Sequence, residues 1–187
     1  MVDKAKIKQA VELMLEAIGE DKSREGLVDT PDRIARMFEE IYAGYSDDEK
    51  VHLSKTFTIE DDGYSDIVIE KDITFYSVCE HHMMPFFGKA HIGYIPSGKV
   101  VGISKLARTV ETFAKRLQIQ EKLGVCIGKA IYENLGAKGV IVVLEAEHLC
   151  MSMRGIKKPG SKTVTIAKFG SFVNDNDLEN KFLNLIK

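Results

Sequence analysis

With 187 residues, 44% of them apolar and 29% charged, the chain can bury one good core and carry a short appendage. A formal charge of −2 argues against nucleic acid or an acidic membrane as the main partner, so any basic site must be local. Apolar runs such as Val140–Leu144 are far too short to span a bilayer. The opening MVDKAKIKQAVELML interleaves charge with apolar residues and lacks a small-residue cleavage site, unlike a secretory signal.

In chain order, Ile7, Ala10, Val11, Met14 and Ile18 recur at helical spacing and predict an amphipathic helix over about 3–19. Thr30-Pro31 reads as a capping hydroxyl followed by proline at the first helical position, and Ile34, Met37, Phe38 and Ile41 give that helix its apolar face. The polar stretches Gly44–Lys50 and Glu60–Gly63 read as a connection. A helical arm and linker over 1–62 thus precedes a main domain over 63–187. Ile67, Ile69, Ile73 and Phe75 alternate with more polar residues as a half-buried strand ending near Cys79, and a second strand runs from about Phe86 to Ile95. The period then changes. Leu106, Val110, Phe113 and Leu117 lie on one helical face, with Ser104 placed to cap the start. Leu123, Ile127, Ala130, Ile131 and Leu135 make another, closed by Gly136. Val140–Glu147 and Thr163–Phe169 read as strands, and a short helix over about 175–186 ends the chain. Strands, then helices, then strands predict an α+β fold, an antiparallel sheet with helices packed on one face. So small a sheet covers itself poorly, which favours assembly with further subunits.

Three cysteines, an odd number, make no disulfide framework and fit a reducing cytoplasm, which turns them into candidate ligands or thiols. Cys79 and His82 have C-x-x-H spacing, and a second cluster, Glu147-His148-Leu149-Cys150, ends a later strand. Two cysteines and one histidine suit Zn²⁺ better than Mg²⁺ or Ca²⁺, and a three-ligand site leaves a position for water, which such an ion acidifies into a nucleophile. A closed structural site stays open as the alternative if His81 or His148 supplies a fourth ligand. Otherwise those two histidines are candidates to move protons, or to support the ligands from behind. Cys126 reads as core, and His91 as structural on a strand face.

Lys105 and Arg108 share one face at a helix start, where free backbone N–H groups favour phosphate, although a solvated charged face is the commoner outcome. Arg154 adds a guanidinium four residues past Cys150. Glu121 sits in a first helical turn, either for electrostatic reasons alone or to accept from the ring N–H and exocyclic amine that guanine presents.

FYSVCEHHMMPFFGKAHIGYIP, VVGISKLARTVETFAKRLQIQEKL and EAEHLCMSMRGI, in that order, strongly resemble the successive signatures of the GTP cyclohydrolase I family; DTPDRIARM in the arm is a weaker likeness. The resemblance runs over roughly 64–172. It implies the tunnelling fold, in which subunit sheets join into a barrel, with a toroidal homodecamer and sites at subunit interfaces. It places Cys79, His82 and Cys150 on the ligands of one zinc ion per subunit, and His81 and His148 on catalytic histidines. Ser104, Lys105, Arg108 and Arg154 fall on triphosphate-binding and ribose-proximal positions, with Ser104 also given a supporting proton-transfer role. Gln120 and Glu121 fall on guanine recognition, and Arg33 on a phosphate contact donated by a neighbour. The implied reaction is attack of zinc-activated water at C8 of the guanine of GTP while His148 protonates the ring. Loss of formate, ribose rearrangement and ring closure then give 7,8-dihydroneopterin triphosphate, the start of pterin and tetrahydrofolate synthesis. Ile166, Lys115 and Lys122 depart from common family residues but coincide with no proposed ligand. A pterin synthase or nitrile reductase on the same fold would lack the paired Cys-Glu-His-His and His-Leu-Cys pattern. A zinc-stabilised interaction module would fill all four metal positions and bind no GTP.

Overall fold

A computed structural model describes residues 2–59 and 66–187; the boundary expected at 62/63 and the polar Glu60–Gly63 segment lie outside the described residues. Helices α1 (Lys4–Ala17) and α2 (Thr30–Ile41) form the arm, followed by α3 (Glu49–Leu53) and β1 (Thr56–Thr58). Then come β2 (Val68–Cys79), β3 (Pro85–Ile95), β4 (Lys99–Val101), α4 (Ile103–Ala114), β5 (Leu117–Gln118) and α5 (Gln120–Leu135). The chain ends with β6 (Gly139–His148), α6 (Leu149–Ser152), β7 (Lys162–Gly170) and α7 (Asn176–Leu185). The main sheet has the order β5-β2-β3-β6-β7, antiparallel except where β5 runs parallel to β2, and β1 pairs with β4 in a two-stranded ribbon. This is the antiparallel sheet with packed helices that the tunnelling fold requires.

The core follows from strand alternation. Phe75, Phe86, Ala90, Ile92, Val140, Val142 and Leu144 face one side and pack on Leu106, Val110 and Phe113 of α4 and Leu123, Ile127 and Ile131 of α5. Each such side chain contributes about 1.5–3 kcal/mol by leaving water. Gly136 ends α5 in the left-handed region at φ 58°, a conformation that costs a side chain but not glycine. Ile141 and Val143 point to the opposite side, where α7 and Phe172 close a second, smaller core around Phe182. Gly93 makes this possible, since a Cβ there would stand 2.7–2.8 Å from Phe182 and Ile67.

One strand departs from simple alternation. Ile67, Ile69, Ile73 and Phe75 do not share a face, because Lys71 and Asp72 together oppose the single residue His91 between the pairs Glu70–Ile92 and Ile73–Ala90. This bulge puts Asp72 at φ 62°, and its N–H donates to His91 Nδ1 at 3.2 Å. Side-chain parity reverses across it, so Ile67 and Ile69 serve the second core while Ile73 and Phe75 serve the first.

Several local expectations change. Gly102 rather than Ser104 is the N-cap of α4, and Asp29 rather than Thr30 precedes α2; Thr30 instead donates its hydroxyl to Gly26 O. Leu117 leaves the helical face to pair with Val78. On α1 the buried pair is Val11 and Leu15, leaving Met14 and Ile18 exposed. The 44–53 stretch is no loose tether. Gly44 N–H donates to Lys115 O, Arg116 Nε donates back to Gly44 O, and Leu53 is buried in the main core. No helix of the described residues is long and apolar enough to cross a membrane.

Candidate active site

Cys79 ends β2, and the hairpin turn that follows folds back over it. Cys79 O accepts from the N–H of Met83 at 2.8 Å and of His82 at 3.4 Å, while Cys79 N–H donates to Met84 O. Met83 pays for the tightness of this turn with a left-handed φ of 52°. The result sets His82 Nδ1 3.8 Å from Cys79 Sγ. The second cluster arrives through the sheet. Phe86 on β3 is registered with His148 at the end of β6, so the α6 turn that follows swings Cys150 over the same hairpin.

Cys79, His82 and Cys150 thereby offer three ligand atoms that all lie within 4.8 Å of one another. Burial pushes the Cys150 thiol above its ordinary range, and the adjacent Cys79 sulfur raises it further. Two neighbouring sulfurs beside an imidazole are satisfied by a cation, and their softness fits zinc. His81 lies outside this group, with its side chain 66% exposed and Nε2 4.0 Å from Glu80 Oε1. His148 is engaged elsewhere, as shown next.

His148 Nε2 lies 2.7 Å from Gln120 Oε1. Gln120, 1% exposed, donates its amide nitrogen to Leu144 O at 3.0 Å and Thr163 O at 2.9 Å, and also lies 3.3 Å from Thr165 Oγ1. Those carbonyls accept only, so the amide cannot be turned round and its oxygen must face the histidine. His148 therefore carries a hydrogen on Nε2, and Nδ1 is the ring nitrogen that can accept. Phe86 stacks on the ring with centroids 4.6 Å apart and planes 2° from parallel. Desolvation lowers the His148 pKa, opposed by the Glu121 carboxylate nearby. The Gln120 side chain, expected at guanine, is thus committed to His148, while Glu121 in the same first turn stays exposed.

The basic groups divide. Arg154 Nη1 reaches His82 Nε2 at 2.9 Å and so joins the metal cluster. Ser104, Lys105 and Arg108 sit at the start of α4, whereas the end of α4 feeds β5 and its pairing with Cys79. Along the helix, the rise to Ala114 is roughly 15 Å from Ser104 and roughly 9 Å from Arg108. Among the described residues, no side-chain hydrogen bond or ion pair ties those three to the cluster. Arg33 on α2, 71% exposed, pairs among the described residues only with Asp29, at 3.4 Å. Phe86 and the carbonyls that hold Gln120 were missed from sequence. Only the strand register brings them to His148, and no local motif encodes it.

The family model described as GTP cyclohydrolase I matches residues 7–187. A GTP cyclohydrolase 1 of Clostridium kluyveri is 60% identical over 186 residues, covering 100% of this chain and 99% of that one. The protein of the same name from Finegoldia magna is 55% identical over 185 residues, 99% of each chain. That from Carboxydothermus hydrogenoformans is 60% identical over 92% of this chain and 88% of its own. Among solved structures, an archaeosine synthase QueF-Like in the apo form covers 56% of this chain and 94% of that one, at 20% identity and a TM-score of 0.47, too weak a likeness to argue from. A full-length match at this identity, over a chain whose Cys-His-Cys cluster and part-buried His-Gln pair assemble from distant elements, leaves one assignment: the chain belongs to the GTP cyclohydrolase I family.

Proposed function

We propose that the chain hydrolyses GTP at guanine C8, releases that carbon as formate, and carries the ribose through rearrangement and ring closure to 7,8-dihydroneopterin triphosphate. The observation that carries this reading is the convergence of Cys79, His82 and Cys150 beside the oriented His148. Those three residues would hold one zinc ion per subunit, which when bound supplies Lewis acidity and acidifies water towards neutral pH.

The chain's own side chains account for the rest. Gln120 holds the Nε2 hydrogen of His148, so His148 takes up and delivers the proton for the guanine ring at Nδ1. Phe86 fixes the plane in which that proton moves. Glu121, exposed at the start of α5, accepts from the ring N–H and exocyclic amine of guanine. Arg154, beside His82, faces the ribose side of the substrate. His81 and Ser104 move protons in the later steps.

Ser104, Lys105 and Arg108 bind the triphosphate with help from the free amides at the α4 start. Lying towards the end of α4 away from the strand that meets Cys79, they serve the cluster of a neighbouring copy, and the exposed Arg33 joins in the same way. The enzyme is accordingly a homo-oligomer, a decamer with sites at subunit interfaces, needing neither nucleic acid nor membrane. Its three free cysteines suit the cytoplasm.

The test is Cys150→Ala. Zinc per subunit, formate release and the fluorescence of oxidised product from GTP should all fall to background together. Full turnover without retained zinc would remove the metal-centred reading.

A further inference from the structure

Glu147 stands next to His148 but, by strand alternation, on the opposite face of the sheet. Its Oε1 accepts from Ser152 Oγ at 2.6 Å and from Gly160 N–H at 3.2 Å. One carboxylate oxygen therefore ties together the two ends of a nine-residue excursion, Ser152 to Gly160. That excursion carries Arg154 and turns through three left-handed residues, Gly155, Lys157 and Gly160.

Little else anchors it. The remaining hydrogen bonds of residues 151–161 among the described residues run locally, such as Lys158 N–H to Met151 O and Lys157 N–H to Arg154 O; Arg154 to His82 is the exception. Every residue from Met153 to Ser161 is exposed, so no buried side chain pins the loop. Both donors to the carboxylate hold its charged form, and its pKa is correspondingly lowered. A loop without packing keeps its shape through its closing contact. Here the closing contact is Glu147.

We propose that Glu147 is a positioning residue: its carboxylate cinches the loop so that the Arg154 guanidinium is delivered to the His82 side of the site. This rests on the reading of Arg154 as a substrate contact. Glu147 touches neither ligand atoms nor substrate and acts only through the loop. A glutamine would keep an acceptor oxygen for both donors, whereas an alanine would not.

The test compares Glu147→Ala, Glu147→Gln, Arg154→Ala and the Glu147→Ala/Arg154→Ala double variant, with zinc content, kcat, KM for GTP and trypsin cleavage after Lys157 measured on each. Glu147→Ala should retain zinc, lose roughly 10- to 100-fold in kcat/KM and be cut faster in the loop. Glu147→Gln should recover most of both properties. The double variant should be no worse than Arg154→Ala alone. Wild-type kcat/KM in Glu147→Ala, or multiplicative losses in the double variant, would overturn the proposal. Full activity in Arg154→Ala would instead sink the role given to Arg154, and the proteolysis would still report whether Glu147 closes the loop.

Discussion

Replacing Gln120 with methionine, which has similar length and no hydrogen-bonding amide, tests whether His148 is held by a neighbour or works alone. The substitution removes the donors to Leu144 O and Thr163 O at 3.0 and 2.9 Å, inside a site where Gln120 is 1% exposed. Leaving two buried carbonyls short of a partner costs about 2–4 kcal/mol of stability in all. It also removes the acceptor at 2.7 Å that keeps the His148 hydrogen on Nε2. With that constraint gone the ring can present the wrong tautomer, and kcat should fall about 100-fold, within the range that positioned proton transfer supplies. Thermal unfolding reads the first effect and formate release at saturating GTP reads the second. Combined with His148→Ala, the methionine variant should add no further loss in kcat. A folded Gln120→Met enzyme with kcat within about twofold of the parent would refute the argument, since methionine has nothing with which to orient an imidazole.

Two further outcomes are expected. If the phosphate and metal halves of a site come from different copies, Lys105→Ala and Cys150→Ala subunits, each inactive or weak alone, should regain activity when coexpressed. With equal random mixing about a quarter of the sites would be intact, and no recovery would mean each protomer is self-sufficient. The second concerns His91, whose pKa is lowered by burial, with Asp72 and Glu145 opposing and Lys71 and Lys89 assisting that shift. A base depressed in the folded state contributes its stability fully above the unfolded pKa of 6.5 and loses it as pH falls through the folded value. Protonation also takes away the Nδ1 acceptor for Asp72 N–H, worth about 1–3 kcal/mol. Urea midpoints between pH 7 and 5 should therefore fall more steeply for the parent than for His91→Gln; parallel curves would contradict this.

What could be read in the residues, and what could not, divides along a physical line. The periodic faces of α4 and α5 and the unbroken apolar run of β6 announce themselves, because burial imposes their spacing locally. The metal cluster was legible because each half is a compact motif at a strand end. The caps were less so. Ser104 and Thr30 are good capping residues, yet Gly102 and Asp29 hold the cap positions, since packing of the apolar face decides where a helix begins. Gln120 was expected at guanine from the family resemblance, and nothing in its local sequence names other partners. Only the meeting of β6, β7 and α5 shows that its amide is already fully engaged.

The extra residue at Lys71–Asp72 works as a parity switch. Two isoleucines before it and an isoleucine and a phenylalanine after it are equally oily, yet one count decides which of two separate interiors receives each. A strand shortened there by a single position would keep every greasy side chain and hand Ile67 and Ile69 to the wrong side, depriving Phe182 of its company. For this stretch of the chain, folding depends on arithmetic more than on hydrophobicity.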